Sequence, residues 1–265
     1  MTTEFTGTAF PLDNDGQQAV LDLLGTGAAE LWSVLSVETK GFGYLNDRRP
    51  QILYERHIFS KRTNRKFDKT NSDISNPTAG GYGATGGHQY DRLQAAIALD
   101  RTAALESASW GIGQLMGFNC SQGGFADAES MVTAMMASEN DQLMAMGKWV
   151  VANNLHKPLA KHDWAAFAKG YNGANYAINQ YDKKLASAFT KYSKKLPDLT
   201  TRQVQVYLTY LGFNAGGIDG AAGPTTFKAL NAFQTANNLP VQNVIDDAAI
   251  ASLKTAVYGQ GAAVG

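Results

Sequence analysis

Residues 28–46, AAELWSVLSVETKGFGYLN, combine a short amphipathic helix with an acidic residue at its end and a glycine shortly after. Glu38 falls seven residues after Leu31 and four after Val34, so all three belong to one helical face. Gly41 can adopt the left-handed conformation that ends a helix. The pattern therefore predicts a carboxyl group in the last turn, facing the interior but close to solvent.

A carboxyl group in that position has the properties of a general acid. Burial disfavours the charged form, so a half-buried glutamate keeps its proton at higher pH than an exposed one. A protonated carboxyl group can then donate that proton to a leaving oxygen. The alternative is an ordinary glutamate that caps the helix or pairs with Lys40 or Arg48, and Glu38 alone does not decide between the two interpretations.

Composition limits the classes of protein to which the chain can belong. The 265 residues are 44% hydrophobic, enough for one large domain or two smaller ones with real cores. Lysine plus arginine equal aspartate plus glutamate at 23 each, which gives no overall basic field for nucleic acid. Residues 48–69 are locally basic, which we interpret as a solvated face, the alternative being contact with a polyanion. Cys120 is the only cysteine, so an intramolecular disulfide is excluded.

Targeting signals are not visible in the sequence. The start, MTTEFTGTAFPLDNDG, has no basic segment followed by an apolar core, and nowhere do eighteen apolar residues run uninterrupted. We therefore expect neither a signal peptide nor a transmembrane segment. We expect a protein that folds in the cytoplasm and needs a separate route to any substrate outside it.

Apolar periodicity predicts an all-helical first domain over residues 1–193. Residues 51–59 suggest an extended or short buried element, and the polar, glycine-rich residues 60–90 suggest a surface loop that can line a cleft. The remaining predicted helices cover residues 90–108, 127–152, 162–170 and 174–193. A lysine-rich helix end followed by proline indicates a linker at residues 194–200.

The second unit, residues 201–265, reads as three helices. Thr200 and Gln203 form a capping-box pattern at the start of the first helix. Pro224 suits the start of the second helix, and the third follows Asp246. A module of about 60 residues leaves little room for a catalytic cleft.

This second unit carries several spaced motifs. They are Leu211-Gly212-Phe213, Asp219-Gly220, Gly223-Pro224-Thr225-Thr226, and Ala229 with Phe233-Gln234. The pattern resembles the three-helix peptidoglycan-binding module found in many cell-wall hydrolases. The resemblance implies bacterial peptidoglycan as partner, while most of the motif residues have structural reasons to be there: glycines allow tight turns and Phe233 packs the core.

The first domain carries four further motifs. They are Val37-Glu38-Thr39, the run RPQILYERH from Arg49 to His57, the run ASWGIGQLMG from Ala108 to Gly117, and Tyr171-Asn172-Gly173. Over most of residues 20–190 the pattern resembles phage and bacterial N-acetylmuramidases of lysozyme-like fold. More loosely, it resembles goose-type lysozymes and lytic transglycosylases. The resemblance implies a mainly α chain, with a lysozyme-like catalytic domain and a small three-helix binding domain.

The resemblance also implies a mechanism. Glu38 would protonate the glycosidic oxygen between N-acetylmuramic acid and N-acetylglucosamine while positive charge develops at the anomeric carbon. Gln114 and Asn172 would hold acetamido or hydroxyl groups of the substrate. Tyr171 could stack on a sugar, bond to Glu38 or simply pack in the core. No cofactor and no metal are implied.

A hydrolase of this kind usually needs a second carboxylate, and the sequence leaves Asp47 and Glu55 as candidates. If neither is suitably placed, the substrate's own hydroxyl would attack, as in lytic transglycosylases, which leave 1,6-anhydro ends. Glu106 is a rival for the general acid. We prefer Glu38 because Glu106 lies only five residues before Gly111, too close to sit across a cleft from the turn that lines it.

Two other classes of function are less well supported. Zinc peptidases also carry wall-binding modules, but the four histidines of this chain show no ligand spacing of the H-E-x-x-H kind. A non-catalytic wall-binding protein would leave Glu38 with a structural role only. We expect a monomeric phage endolysin that stays in the host cytoplasm until a separate holin lets it reach the periplasm and cell wall, with a secreted antibacterial effector as the alternative.

Overall fold

A computed structural model describes residues 4–259, and within that range the chain is mainly helical. Its helices are α1 (Asn14–Leu24), α2 (Ala28–Thr39), α3 (Arg56–Arg62), α4 (His88–Ile97), α5 (Arg101–Glu106), α6 (Ala128–Ala137), α7 (Glu139–Ala152), α8 (His156–Ala160), α9 (Trp164–Asn172), α10 (Tyr181–Tyr192), α11 (Leu199–Tyr210), α12 (Pro224–Ala236) and α13 (Asp247–Tyr258). Its strands are β1 (Ile52–Tyr54), β2 (Ala108–Trp110) and β3 (Leu115–Met116). Within residues 4–259 no single helix is long and apolar enough to cross a membrane. Helices α1 and α2 together reach the required length and composition, but they are bent by 104° relative to each other.

Helix α2 lies in the core as its apolar face predicts. Leu31 and Val34 are buried, and α10 packs along the helix. Lys40 and Gly41 both adopt left-handed backbone angles, with φ of 58° and 80°. The Gly41 amide donates to the carbonyl of Leu35 at 3.0 Å and so ends the helix.

A small antiparallel sheet makes the first domain less uniformly helical than the sequence predicts. Strand β2 pairs with β1, where Ile52 faces Trp110, and with β3, where Ser109 faces Met116. The extended element expected near residue 52 is therefore β1, and the Ala-Ser-Trp-Gly motif forms half of a hairpin.

The single helix predicted over residues 90–108 is wrong. The structure has two helices there, because the Asp100 side chain caps α5 by accepting the Ala103 amide at 2.9 Å. Ala108 belongs to strand β2 rather than to a helix. Alanine-rich composition favours helix locally, but pairing with β1 decides the conformation of these residues.

The single helix predicted over residues 127–152 is also wrong. It breaks at Ser138, whose backbone is extended and forms a parallel bridge with Phe10. The Ser138 hydroxyl oxygen accepts the Asp141 amide at 3.0 Å and starts α7. A long-range contact with the N-terminal segment accompanies the interruption.

The next two predicted helices exist with shifted limits. The helix predicted over residues 162–170 runs from Trp164 to Asn172, so the Tyr-Asn motif lies in its last turn. The helix predicted over residues 174–193 starts only at Tyr181, after a short 3-10 turn at residues 176–179.

The three helices predicted for the C-terminal module are confirmed, with one corrected cap. Asp198, not Thr200, caps α11 by accepting the Thr201 amide at 2.7 Å. The second helix starts at Pro224 and the third is capped by Asp246, as predicted.

The module packs directly against the first domain. Its own core surrounds Leu230 and Phe233. A separate buried cluster joins Phe42 and Tyr44, from the segment after α2, to Val206 of α11. The segment that follows Glu38 is therefore part of the contact between the two units.

Candidate active site

Glu38 and Asn172 meet at the ends of α2 and α9. The Asn172 side-chain amide donates to Glu38 Oε1 at 2.9 Å. Both residues are partly buried. The structure thus brings the predicted general acid and the Tyr-Asn motif together across 134 residues of sequence.

The environment of Glu38 favours its protonated form. Burial raises the pKa of Glu38 above its ordinary value, while the Asn172 hydrogen bond and the positive charge of Lys184 act in the opposite direction. A raised pKa suits a group that must hold a proton until it reaches a leaving oxygen.

Tyr171 lies beside Glu38 but does not bond to it. Its hydroxyl donates to the carbonyl of Gly113 at 2.6 Å, and its ring stacks on Phe167 and meets Trp149 edge-on. Burial raises the pKa of Tyr171, and the charge of Glu38 raises it further. The tyrosine therefore ties α9 to the hairpin turn next to the acid.

Gln114 lies in that hairpin turn, and its side chain forms hydrogen bonds to other residues of the hairpin. Its backbone has φ of 49°, its Oε1 accepts the Ser109 hydroxyl at 2.8 Å, and its Nε2 donates to the Gly111 carbonyl at 2.9 Å. The side chain also lines a cavity of about 360 Å³. Other residues around this cavity include Gly113, Met116, Phe118, Asn119, Trp149, Asn153 and Tyr171. A concave surface with aromatic walls and amide groups suits a sugar.

The two candidate second carboxylates have different surroundings. The Asp47 side chain is 50% exposed and forms an ion pair with Arg49 at 2.7 Å. The Glu55 side chain is 16% exposed, and its Oε2 lies 3.1 Å from His57 Nδ1 without the alignment of a hydrogen bond. Burial raises the pKa of Glu55, whereas His57 and the Tyr82 hydroxyl favour its charged form.

Two tyrosines have pKa values that depend in part on Glu55 and Glu38. Burial raises the pKa of Tyr82, and the charge of Glu55 and the nearby Tyr181 add to this rise. Burial likewise raises the pKa of Tyr181, and the charge of Glu38 adds to it. Tyr82 of the glycine-rich loop therefore lies near Glu55, and Tyr181 of α10 lies near Glu38.

The rival acid Glu106 has a different partner. Its carboxylate pairs with Arg62 at 3.2 Å, an arginine of the basic segment. Among residues 4–259 no three histidine, cysteine, aspartate or glutamate side chains are grouped to hold a metal ion.

Comparison with known proteins identifies the family of the chain. Residues 27–193 match the N-acetylmuramidase family. The chain belongs to that family. Residues 199–253 of the muramidase match a putative peptidoglycan binding domain. A search of the curated proteins gave no match.

A solved structure gives a second comparison. The muramidase resembles the crystal structure of the Burkholderia AP3 phage endolysin with a TM-score of 0.64 and 38% sequence identity, over 70% of this chain and 72% of that chain. Together with the two family matches, this likeness makes the protein a glycoside hydrolase that acts on peptidoglycan.

Several residues at the site were not found from the sequence. Tyr181 and Lys184 lie one turn apart on α10, and only the packing of α10 on α2 brings them to Glu38. For Tyr82 the sequence does contain one indication of a role at the site, since Tyr82 is the only aromatic residue within the run AGGYGATGG. An aromatic residue in a polar, glycine-rich loop can mark a binding surface.

Proposed function

We propose that the muramidase cleaves the β-1,4 bond between N-acetylmuramic acid and N-acetylglucosamine with Glu38 as general acid. The observation that carries this proposal is the partly buried Glu38 side chain, with its raised pKa, bonded to Asn172. The chain neighbours of Asn172, Tyr171 and Gly173, line the aromatic-walled cavity. The Glu38 proton passes to the glycosidic oxygen as the bond to the anomeric carbon breaks.

Glu55 is the second carboxylate in this proposal. It accepts a proton from the water that attacks the anomeric carbon, which leaves a reducing N-acetylmuramic acid end. Its low exposure supports Glu55 over Asp47, whose carboxylate is half exposed and paired with Arg49. Burial raises the pKa of Glu55, and His57 and Tyr82 oppose part of that rise in favour of the ionised form that a base requires.

Three further side chains contribute to substrate binding in this proposal. Tyr171 and Gln114 shape the wall of the cavity, since their polar groups hold the hairpin turn in place. Asn172 orients Glu38 and uses the rest of its amide to bind an acetamido or hydroxyl group of the sugar. No cofactor is required for this reaction.

The domain limits and the biology are also proposals. Residues 1–193 form the catalytic domain, residues 194–200 the linker and residues 201–265 the peptidoglycan-binding domain. The likeness to a phage endolysin supports a role in host lysis. We propose a monomer that does not bind nucleic acid, accumulates in the host cytoplasm and reaches the wall in the periplasm after a holin opens the inner membrane.

Mass spectrometry of fragments released from purified peptidoglycan tests the reaction. Fragments are compared with and without borohydride reduction, and reducible N-acetylmuramic acid ends are expected. Anhydro ends, lighter by one water, would instead identify a lytic transglycosylase and remove the role of Glu55. Lysis on expression of this chain alone, without a pore, would contradict the holin requirement.

Matched variants test the assignment of residues. Glu38→Gln is expected to lose activity by at least about 100-fold, the usual range for general acid catalysis. Glu55→Gln is expected to show a similar loss, while Asp47→Asn keeps activity within a factor of about three. Full activity in Glu38→Gln would make Glu106 the candidate general acid. Loss of activity in Asp47→Asn but not in Glu55→Gln would make Asp47 the second carboxylate.

A further inference from the structure

Arg202 lies in the first helix of the C-terminal module, and its charged side chain is fully buried against the catalytic domain. Its Nη1 and Nη2 donate to the two carboxylate oxygens of Glu139 at 2.6 and 2.7 Å, and both side chains have no solvent exposure. The guanidinium group also lies over the rings of Trp32 and Phe42, at 5.6 and 5.9 Å from the ring centres. Residues from both domains thus surround this ion pair.

Both members of the ion pair hold the turn that follows Glu38. Arg202 Nη2 donates to the carbonyl of Gly41 at 2.6 Å, with a longer bond from Nε at 3.3 Å. Glu139 Oε1 accepts the Gly43 amide at 2.9 Å. The end of α2 is therefore fixed by a residue from the binding module and by that residue's own partner.

The same turn is connected to the hairpin that Tyr171 contacts. The Thr39 hydroxyl donates to the Ile112 carbonyl at 2.9 Å. The Ile112 amide in turn donates to Gln142 Oε1 at 2.7 Å, and Gln142 lies one turn after Glu139 on α7. One face of α7 therefore sets the positions of both segments next to the general acid.

Stability alone is a weak reason for this arrangement. Removing two charges from water is costly, and apolar residues of similar volume often serve a buried contact equally well. The ion pair does supply directed hydrogen bonds to particular backbone atoms, which apolar packing cannot. We therefore infer that these hydrogen bonds serve to orient the turn.

We propose that Arg202 is a positioning residue of the muramidase: through the turn at Gly41–Gly43, the C-terminal module fixes the orientation and burial of Glu38. This inference rests on the proposed role of Glu38. The module is then a structural part of the catalytic machinery as well as a wall-binding unit. An error of about 1 Å in the position of a catalytic group is enough to lower turnover by about 100-fold.

The test uses full-length Arg202→Lys and the control Tyr210→Phe. Lysine keeps the charge but cannot bond to Glu139 and Gly41 together in the manner of the planar guanidinium group. Tyr210, on the same helix, donates to the Ala9 carbonyl at 3.0 Å, and its ring packs on Phe42 of the turn. Phenylalanine keeps that ring, so the variant loses a hydrogen bond between the domains but no hydrogen bond to the α2 turn. The substrate is a soluble mixture of short peptidoglycan chains, on which wall binding has no influence.

We expect Arg202→Lys to lower kcat by about 10- to 100-fold with KM changed by less than about twofold. The alkaline limb of its pH profile should move to lower pH, because a less buried Glu38 loses its proton more easily. The titratable groups that face Glu38 are Tyr171 of α9 and Tyr181 and Lys184 of α10, and the substitution leaves all three in place. Tyr210→Phe should have the same kcat and the same alkaline limb of the pH profile as the parent protein.

Three outcomes separate this inference from the proposed function. If folded Arg202→Lys has the same kcat and the same alkaline limb of the pH profile as the parent protein, the proposed positioning role of Arg202 is refuted, whatever the change in Tm. If Arg202→Lys does not fold, the same measurements on Glu139→Gln decide, since glutamine retains an oxygen acceptor for the Gly43 amide. Activity in Glu38→Gln would overturn the proposed function itself, which the Arg202 result alone cannot do.

Discussion

Replacing Asn172 by leucine is the sharpest test of the acid's environment. The change keeps the branching and the number of side-chain heavy atoms but removes the amide that donates to Glu38 Oε1 at 2.9 Å. This hydrogen bond favours the charged form of Glu38, in opposition to burial. Asn172→Leu should therefore raise the pKa of Glu38 still further.

The size of the shift follows from the strength of the bond. A hydrogen bond to a charged group contributes about 1.5–3 kcal/mol. The oxygen of a protonated carboxyl group also accepts a hydrogen bond, so we take about half of that value as the difference between the two forms. At about 1.36 kcal/mol per pKa unit, the expected rise is roughly one unit.

The assay is kcat/KM as a function of pH on soluble peptidoglycan fragments. A general acid works only when protonated, so a higher pKa moves the alkaline limb of the profile upward, by roughly one pH unit. The acidic limb, which reports the second carboxylate, should stay in place. The control is Asn175→Leu, the same exchange at an exposed residue close by in the chain.

An alkaline limb that stays in place or moves to lower pH in Asn172→Leu would refute the reasoning. Stability supplies an independent check with a definite sign. Because the folded state raises the pKa of Glu38, the unfolded chain releases this proton first, and the contribution of Glu38 to stability falls as pH rises from 4.5 through its folded pKa. Asn172→Leu should extend that loss to higher pH.

Three further predictions concern charge, packing and metal. Lys184→Met should raise the alkaline limb by a few tenths of a unit at low salt and less at high salt, because an exposed charge is screened, whereas its neighbour Lys183→Met should leave the limb unchanged. Gly43→Ala should lower the free energy of unfolding by about 1–3 kcal/mol in a denaturant titration, since a Cβ there would lie 2.0 Å from Gln142 Oε1. Gly223→Ala, with no atom within 4 Å of its Cβ, should change it by less than about 0.5 kcal/mol. Peptidoglycan cleavage should be unaffected by EDTA, and its loss in EDTA with recovery on added zinc would point to the peptidase alternative.

Local signals were sufficient for much of the fold. The burial of Leu31 and Val34, the end of α2 near Gly41, and the starts of α12 and α13 follow from spacing, left-handed turns and caps within a few residues. Such signals act over one or two helical turns, so they can be read without the rest of the chain. The same spacing made Glu38 the candidate acid.

Other features depended on contacts between distant segments. The helices predicted over residues 90–108 and 127–152 break where β1 pairs with β2 and where Phe10 reaches Ser138. Helix propensity describes each residue in isolation, and a long-range pairing can outweigh it. The sequence pattern therefore placed these helices correctly but not their interruptions.

Residue spacing and local caps were enough to predict a mainly helical chain with a candidate acid at the end of an amphipathic helix and a separate three-helix module. The surroundings of that acid depend on long-range folding: the Asn172 amide comes from α9 and the charge of Lys184 from α10, and the Arg202–Glu139 pair holds the turn that follows. The physical reason is that a pKa and a side-chain orientation depend on atoms within a few ångströms in space. Here the amide that bonds to Glu38 comes from Asn172, 134 residues away along the chain.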